Sequence, residues 1–267
     1  MAHLMGAEVI THEFPTKEVF SGVTVGINDG DRIGIVGRNG DGKSTLVKIL
    51  TKQFAPDSGR VTWRGGLRIG FLTQVDVIDD EISIAEAVVG DRPEFEWASD
   101  PKIRDVLSGL VADLDWHQKV GTLSGGQRRR VALAALLAGE YDVVFLDEPT
   151  NHLDVDGVAW LANHLQTRWP KNVGGLAVIT HDRWFLDAVC NLTWEVYGGR
   201  IEPFEGGYAA YVQQRAERSR QADAIESRRQ NLLRKELAWL GRGAPARTAK
   251  PKFRIDAALA LIGNEPP

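Results

Sequence analysis

Gly37-Arg38-Asn39-Gly40-Asp41-Gly42-Lys43-Ser44-Thr45 is the stretch on which the reading of this chain turns. Before it lies a strand-length apolar run, Arg32 to Val36, and after it Ser44 to Thr51, whose spacing predicts a helix. Strand, glycine loop and helix in that order form a cradle for a chain of phosphates. Glycines let successive backbone N–H groups turn inward, and the helix start adds the positive end of its dipole. In this Gly-x4-Gly-Lys-Ser pattern the backbone around Gly37, Asn39, Gly40, Gly42 and Thr45 wraps the phosphates, Lys43 reaches the outer ones, and the Ser44 hydroxyl is placed to hold Mg²⁺. Asp41 is unusual company for a phosphate, though only the loop backbone need approach the ligand and its side chain can point to solvent.

Outward from the loop, Val23 to Ile27 reads as a strand that leads through Asn28-Asp29-Gly30 into Arg32 to Val36. Gly59 to Trp63 and Leu67 to Leu72 suggest a hairpin about Gly65-Gly66. Ile84 to Val89, Ile103 to Leu114 and Arg128 to Leu137 suggest helices, and Asp142 to Leu146 and Leu176 to Thr180 are the near-continuous apolar runs of buried parallel strands. The pattern is α/β, a sheet layered with helices.

With 267 residues the chain is long enough to bury a sizeable core without staples. Its apolar runs are too short to span a bilayer, Met1 to Ile10 lacks the features of a secretory signal, and Cys190 is the only cysteine. A cytoplasmic setting is the expectation. The formal net charge of −4 hides an asymmetry: Gly206 to Arg254 holds 12 Lys or Arg against 4 Asp or Glu, a net +8, leaving −12 for the remainder. Such a basic stretch suits either a solvated helix face or contact with a polyanion.

Two further motifs carry chemistry. Val143-Val144-Phe145-Leu146-Asp147-Glu148-Pro149 is an apolar strand ending in two carboxylates; Asp147 is placed to hold Mg²⁺ through its water shell, and Glu148 is the candidate general base for a water attacking a γ-phosphate. Leu123-Ser124-Gly125-Gly126-Gln127, with Ser124 lying 23 residues before Asp147, opens a helix with a hydroxyl and free amides, a second anion site. A single ATP does not readily use both edges of one compact domain. The economical arrangement is two domains face to face, each phosphate loop closed by the partner's serine-glycine edge.

In this order the motifs resemble an ABC ATPase. That resemblance implies a P-loop NTPase fold with a RecA-like core, an antiparallel β subdomain and an α-helical subdomain at about 80–138, the ATPase domain ending near residue 205. It also implies ATP and Mg²⁺ as ligands. By the same resemblance Gln74 senses Mg²⁺ and the attacking water, Asp154 meets the partner domain, His181 contacts the γ-phosphate, and Phe14 stacks on adenine, with Phe20 the alternative. Asn151-His152-Leu153-Asp154, the run His181 to Asp187 and Glu205-Gly206-Gly207-Tyr208 are similar to the ABC-F branch, which carries no transmembrane domain and acts on ribosomes. Residues 206–267 are similar to that branch's basic helical linker and a partly disordered tail, with Ile225, Leu232, Leu233, Leu237 and Leu240 on one side of a helix.

The implied function is an ATP-dependent translation factor whose partners are a second ABC domain, the ribosome and transfer RNA. The ATPase subunit of a membrane transporter and a nucleic-acid repair ATPase are the alternatives. ABC-F chains normally continue into a second ATPase domain, so the partner here is expected to be a missing C-terminal half or a second copy. The 50 residues between Gln74 and Ser124 are too few for the helical arm that some relatives insert there.

Overall fold

The structure, a computed structural model, describes residues 2–15, 17–72 and 78–241. In chain order the elements are β1 (His3–Phe14), β2 (Lys17–Asn28), β3 (Arg32–Val36), α1 (Lys43–Leu50), β4 (Ser58–Trp63), β5 (Ile69–Leu72), α2 (Ile84–Val89), α3 (Glu94–Ser99), α4 (Pro101–Leu110), α5 (Gly125–Ala138), β6 (Val143–Asp147), α6 (Val155–Thr167), β7 (Gly175–Ile179), α7 (Arg183–Val189), β8 (Leu192–Tyr197), β9 (Arg200–Glu205) and α8 (Tyr208–Gly241). The chain divides into two units between Tyr211 and Val212.

The first unit is built on two sheets. One has six strands in the order β5-β6-β7-β3-β8-β9, parallel except for β9; the other has three antiparallel strands, β2-β1-β4. The parallel strands read as continuous apolar runs because both faces are covered. Val143 and Phe145 of β6 and Ala177 and Ile179 of β7 enter a core shared with α1 and the three-stranded sheet. Val144, Leu146, Leu176 and Val178 alternate into a second core shared with α2, α4, α5, α6 and α7. A mostly parallel sheet, a separate antiparallel sheet and a group of helices are the three parts that the motif order led one to expect.

The expected hairpin about Gly65-Gly66 does not form. β4 pairs with β1 in the three-stranded sheet, whereas β5 pairs in parallel with β6, Ile69 opposite Val143, so the glycine pair links two sheets. The helix expected to run to Leu114 ends at Leu110; it starts at Pro101, where Asp100 accepts a hydrogen bond from Lys102 N–H and proline needs no donor.

Register places the chemistry. Asp147, the last residue of β6, lies opposite Ile179 of β7, which lies opposite Ile35 of β3. The segments leaving β3, β6 and β7 therefore emerge side by side, at the carboxyl edge where ligands sit in open α/β sheets. They carry the glycine loop, the Asp147-Glu148 pair and His181.

In the second unit α8 continues from Val212 with two of its acids paired along its own surface: Glu217 with Arg220, and Glu226 with Arg229 and Gln230. Ile225 and Leu232 are exposed. Leu237 and Leu240 lie outside the described side chains.

Candidate functional site

Phe14, Asn39, Gly40, Gly42, Lys43, Ser44, Thr45, Asp147, Glu148 and His181 line one cavity of about 600 Å³, joined by Lys17, Val19, Asn151 and Ile179. The loop owes its path to glycine. Gly42 has φ +101 and any Cβ there would strike Val19 Cγ1; Gly37 has φ +152 and a Cβ there would strike the Val196 carbonyl. Gly37 thus buttresses the loop against β8, while Gly40, also at positive φ, has open space around it.

Lys43 is buried and donates to the carbonyls of Gly37 (3.0 Å) and Arg38 (3.1 Å), which holds its ammonium at the mouth of the loop. Asp41 does not point freely to solvent. One of its carboxylate oxygens accepts from Arg38 N–H at 3.0 Å, and the side chain is only 16% exposed.

Ser44 Oγ donates to Asp147 Oδ2 at 2.7 Å. Among the described residues Asp147 Oδ1 is buried with no hydrogen-bond partner. A hydroxyl beside a carboxylate with an unsatisfied buried oxygen is a hard-donor set that fits Mg²⁺. Gln74, the other expected metal contact, lies outside the described residues.

Glu148 follows at φ +50, a strained conformation for a residue with a Cβ, and its N–H is tied to the Ile179 carbonyl at 2.8 Å. Its side chain is 15% exposed, and His181 Nε2 stands 3.5 Å from Oε1. Burial pushes the Glu148 carboxyl above the usual carboxylate range and neighbouring Asp147 adds to this, while His181 and Lys43 pull it down. A raised pKa suits a group that must accept a proton from water.

Phe14 is 43% exposed at the cavity wall, with its ring 5.0 Å from His12 in a T-shaped contact. Phe20 is fully buried beneath Gly42 and has no face to offer a base.

Ser124, Gly125, Gly126 and Gln127 do not line this cavity. They open α5 in a capping box: Ser124 Oγ accepts from Gln127 N–H at 3.3 Å and Gln127 Oε1 accepts from Ser124 N–H at 2.9 Å. Ser124 is exposed, and its hydroxyl proton remains able to donate. Asp154 caps α6 by accepting from Gly157 N–H at 2.8 Å.

Lys17, which lines the cavity, and Arg129, which braces the end of β6, are two contacts that pattern reading missed. Buried Arg129 donates to the Asp147 carbonyl at 2.5 Å and so ties α5 to the end of β6. Its sequence signal was drowned in the run Arg128-Arg129-Arg130. Lys17 reaches the cavity because it pairs with Phe14 across the tip of the β1–β2 hairpin, a placement with no local signal.

Comparison with known proteins is consistent with this geometry. Residues 20–151 match a family described as ABC transporter, and residues 194–257 match a second with the same description. The chain is 35% identical over 300 residues to the uncharacterized ABC transporter ATP-binding protein YfmR of Bacillus subtilis, covering 97% of this chain and 46% of that protein.

The chain belongs to the ABC ATPase family.

It is also 33% identical to the energy-dependent translational throttle protein EttA of Haemophilus influenzae over 279 residues, covering 90% of this chain and 50% of that protein. This ABC ATPase therefore spans about half the length of the curated relatives it matches. Among solved structures it is similar to the RNase-L inhibitor, with a TM-score of 0.70, 27% identity and coverage of 81% of this chain and 42% of that one. Among the described residues no helix is long and apolar enough to cross a membrane.

Proposed function

We propose that this ABC ATPase is the ATP-hydrolysing half of a cytoplasmic ABC-F translation factor that closes with a second ABC domain and acts on the ribosome. The observation that carries the reading is the separation of two anion-accepting ends, the cavity at Lys43 and the exposed start of α5 at Ser124. Each is half of a site. The adenine stacks on Phe14, the amides of the glycine loop and Lys43 hold the polyphosphate, and the partner's serine-capped helix start closes over the γ-phosphate. A partner is either a second ABC domain joined through the basic linker or a second copy of this chain.

Ser44 and Asp147 would hold Mg²⁺, and Gln74, outside the described residues, is the further candidate. Mg²⁺, if held there, would supply positive charge that offsets the charge of the phosphates. Glu148 orients a water in line with the γ-phosphorus and takes its proton as the new P–O bond forms; the bond to the bridging oxygen breaks, leaving ADP and phosphate. His181 reaches a γ-phosphate oxygen from the end of β7.

Two features support the ribosome as target. Relatives at about one-third identity include proteins named for throttling translation, and residues 206–254 carry +8, the sign needed to approach transfer RNA or ribosomal RNA. The test is sedimentation through a sucrose cushion of the Glu148→Gln protein mixed with ribosomes. ATP-dependent co-pelleting is expected. Sedimentation that ignores ATP, or tight binding to duplex DNA with none to ribosomes, overturns the reading.

A further inference from the structure

The glycine loop contains a carboxylate where phosphates are to bind, and the structure shows how that charge is managed. Asp41 has two distinct relations. Oδ2 accepts from the backbone N–H of Arg38 at 3.0 Å, bridging the loop across the same turn in which Asp41 N–H donates to the Arg38 carbonyl at 3.2 Å. Oδ1 faces Lys17 Nζ at 3.8 Å. Lys17 in turn donates to the Gly40 carbonyl at 2.8 Å. One lysine on the β1–β2 hairpin thus holds both a backbone carbonyl and the carboxylate of the loop.

The charge inventory shows why this matters. The charged groups lining the cavity are Lys17, Lys43, Asp147, Glu148 and His181, with His181 beside Glu148. Asp41 adds a third carboxylate next to that wall. Asp147 and Glu148 are needed for metal binding and proton transfer in the proposed mechanism, but Asp41 faces neither role. Its carboxylate instead shapes the loop, as a side chain closing a turn does. Left uncompensated, its negative charge repels a polyphosphate bound in the loop.

We propose that Lys17 and Asp41 form a charge-compensated clamp on the phosphate loop. Asp41 fixes the curvature of the loop before nucleotide arrives, and Lys17 cancels the field of Asp41 at the phosphates. Lys17 is then a positioning and screening residue, and the loss it causes when removed belongs to Asp41. The proposal rests on the reading of this cavity as the ATP site.

The test is titration calorimetry of the full chain with the β,γ-imido analogue of ATP and Mg²⁺. Lys17→Ala is expected to bind about five- to tenfold more weakly, with the defect shrinking at about 0.5 M salt. Lys17→Ala combined with Asp41→Asn, which keeps an oxygen acceptor for Arg38 N–H but no charge, is expected to regain affinity to within about twofold of the parent. Melting curves establish that each variant is folded.

Unchanged affinity in Lys17→Ala overturns the proposal. So does a double variant no tighter than Lys17→Ala, since Lys17 then acts on the nucleotide directly. Lys43→Ala separates this failure from failure of the site itself: if it binds the analogue as the parent does, the cavity is not the nucleotide site and the proposal falls with it. If Lys43→Ala loses binding while the double variant is not rescued, the site stands and only the clamp is refuted.

Discussion

Glu148 concentrates three unfavourable features in one residue: a positive φ, partial burial, and a carboxylate neighbour in Asp147. Each costs stability, and a residue that keeps all three fits the catalytic role proposed for it. Its carboxyl has a raised pKa, so the folded protein binds this proton more tightly than the unfolded chain does. The associated stability is fully present below the ordinary glutamate range and is lost as pH rises through the raised value. Glu148→Gln, which carries no such charge, should therefore melt higher than the parent by a degree or two, roughly, at pH 7. The gap should close as the pH is lowered toward 4; a gap that widens on acidification would contradict the assignment. Gly42 provides the opposite case, since it has φ +101 and no room for a Cβ beside Val19. Gly42→Ala is expected to cost about 2–4 kcal/mol in denaturant unfolding and to abolish nucleotide binding.

Among the elements, the loop and α1 were legible in the sequence because their signals are local. Glycines at fixed offsets, a lysine and a serine lie within nine residues, and an apolar strand precedes them. β6 and β7 were legible for a related reason, since burial on both faces leaves an uninterrupted apolar run. The supposed hairpin of β4 and β5 shows where local reading stops: Gly65-Gly66 looks like a hairpin turn whichever partners its flanks choose, and those partners, β1 and β6, are far away in sequence. The contact between Asp41 and Lys17 was missed for the same reason, since their relation exists only once the β1–β2 hairpin folds over the loop. The start of α5 invites a test at this scale. Ser124→Ala removes the acceptor for Gln127 N–H and should destabilise the chain by about 1 kcal/mol. It leaves the cavity at Lys43 intact, so affinity of the isolated chain for the ATP analogue should be unchanged while ATP turnover falls by about tenfold or more. Equal losses in affinity and turnover would place Ser124 at its own chain's nucleotide instead.

At the scale of the molecule, the separation of the two anion-accepting ends sets a kinetic rule. If the cavity at Lys43 is completed only by Ser124 of another domain, this single ABC domain hydrolyses ATP only when two copies meet. The rate per molecule should then rise with protein concentration and level off once pairing saturates. ATP binds at the junction and favours the paired state by its difference in affinity for the two states. Glu148→Gln leaves binding in place and removes the step that opens the pair, so with ATP and Mg²⁺ it should elute from a sizing column at twice the monomer mass. With ADP, or in Lys43→Ala, the same column should show monomer. A fast rate independent of concentration would mean that one copy completes its own site, and Ser124 would then have no role in catalysis.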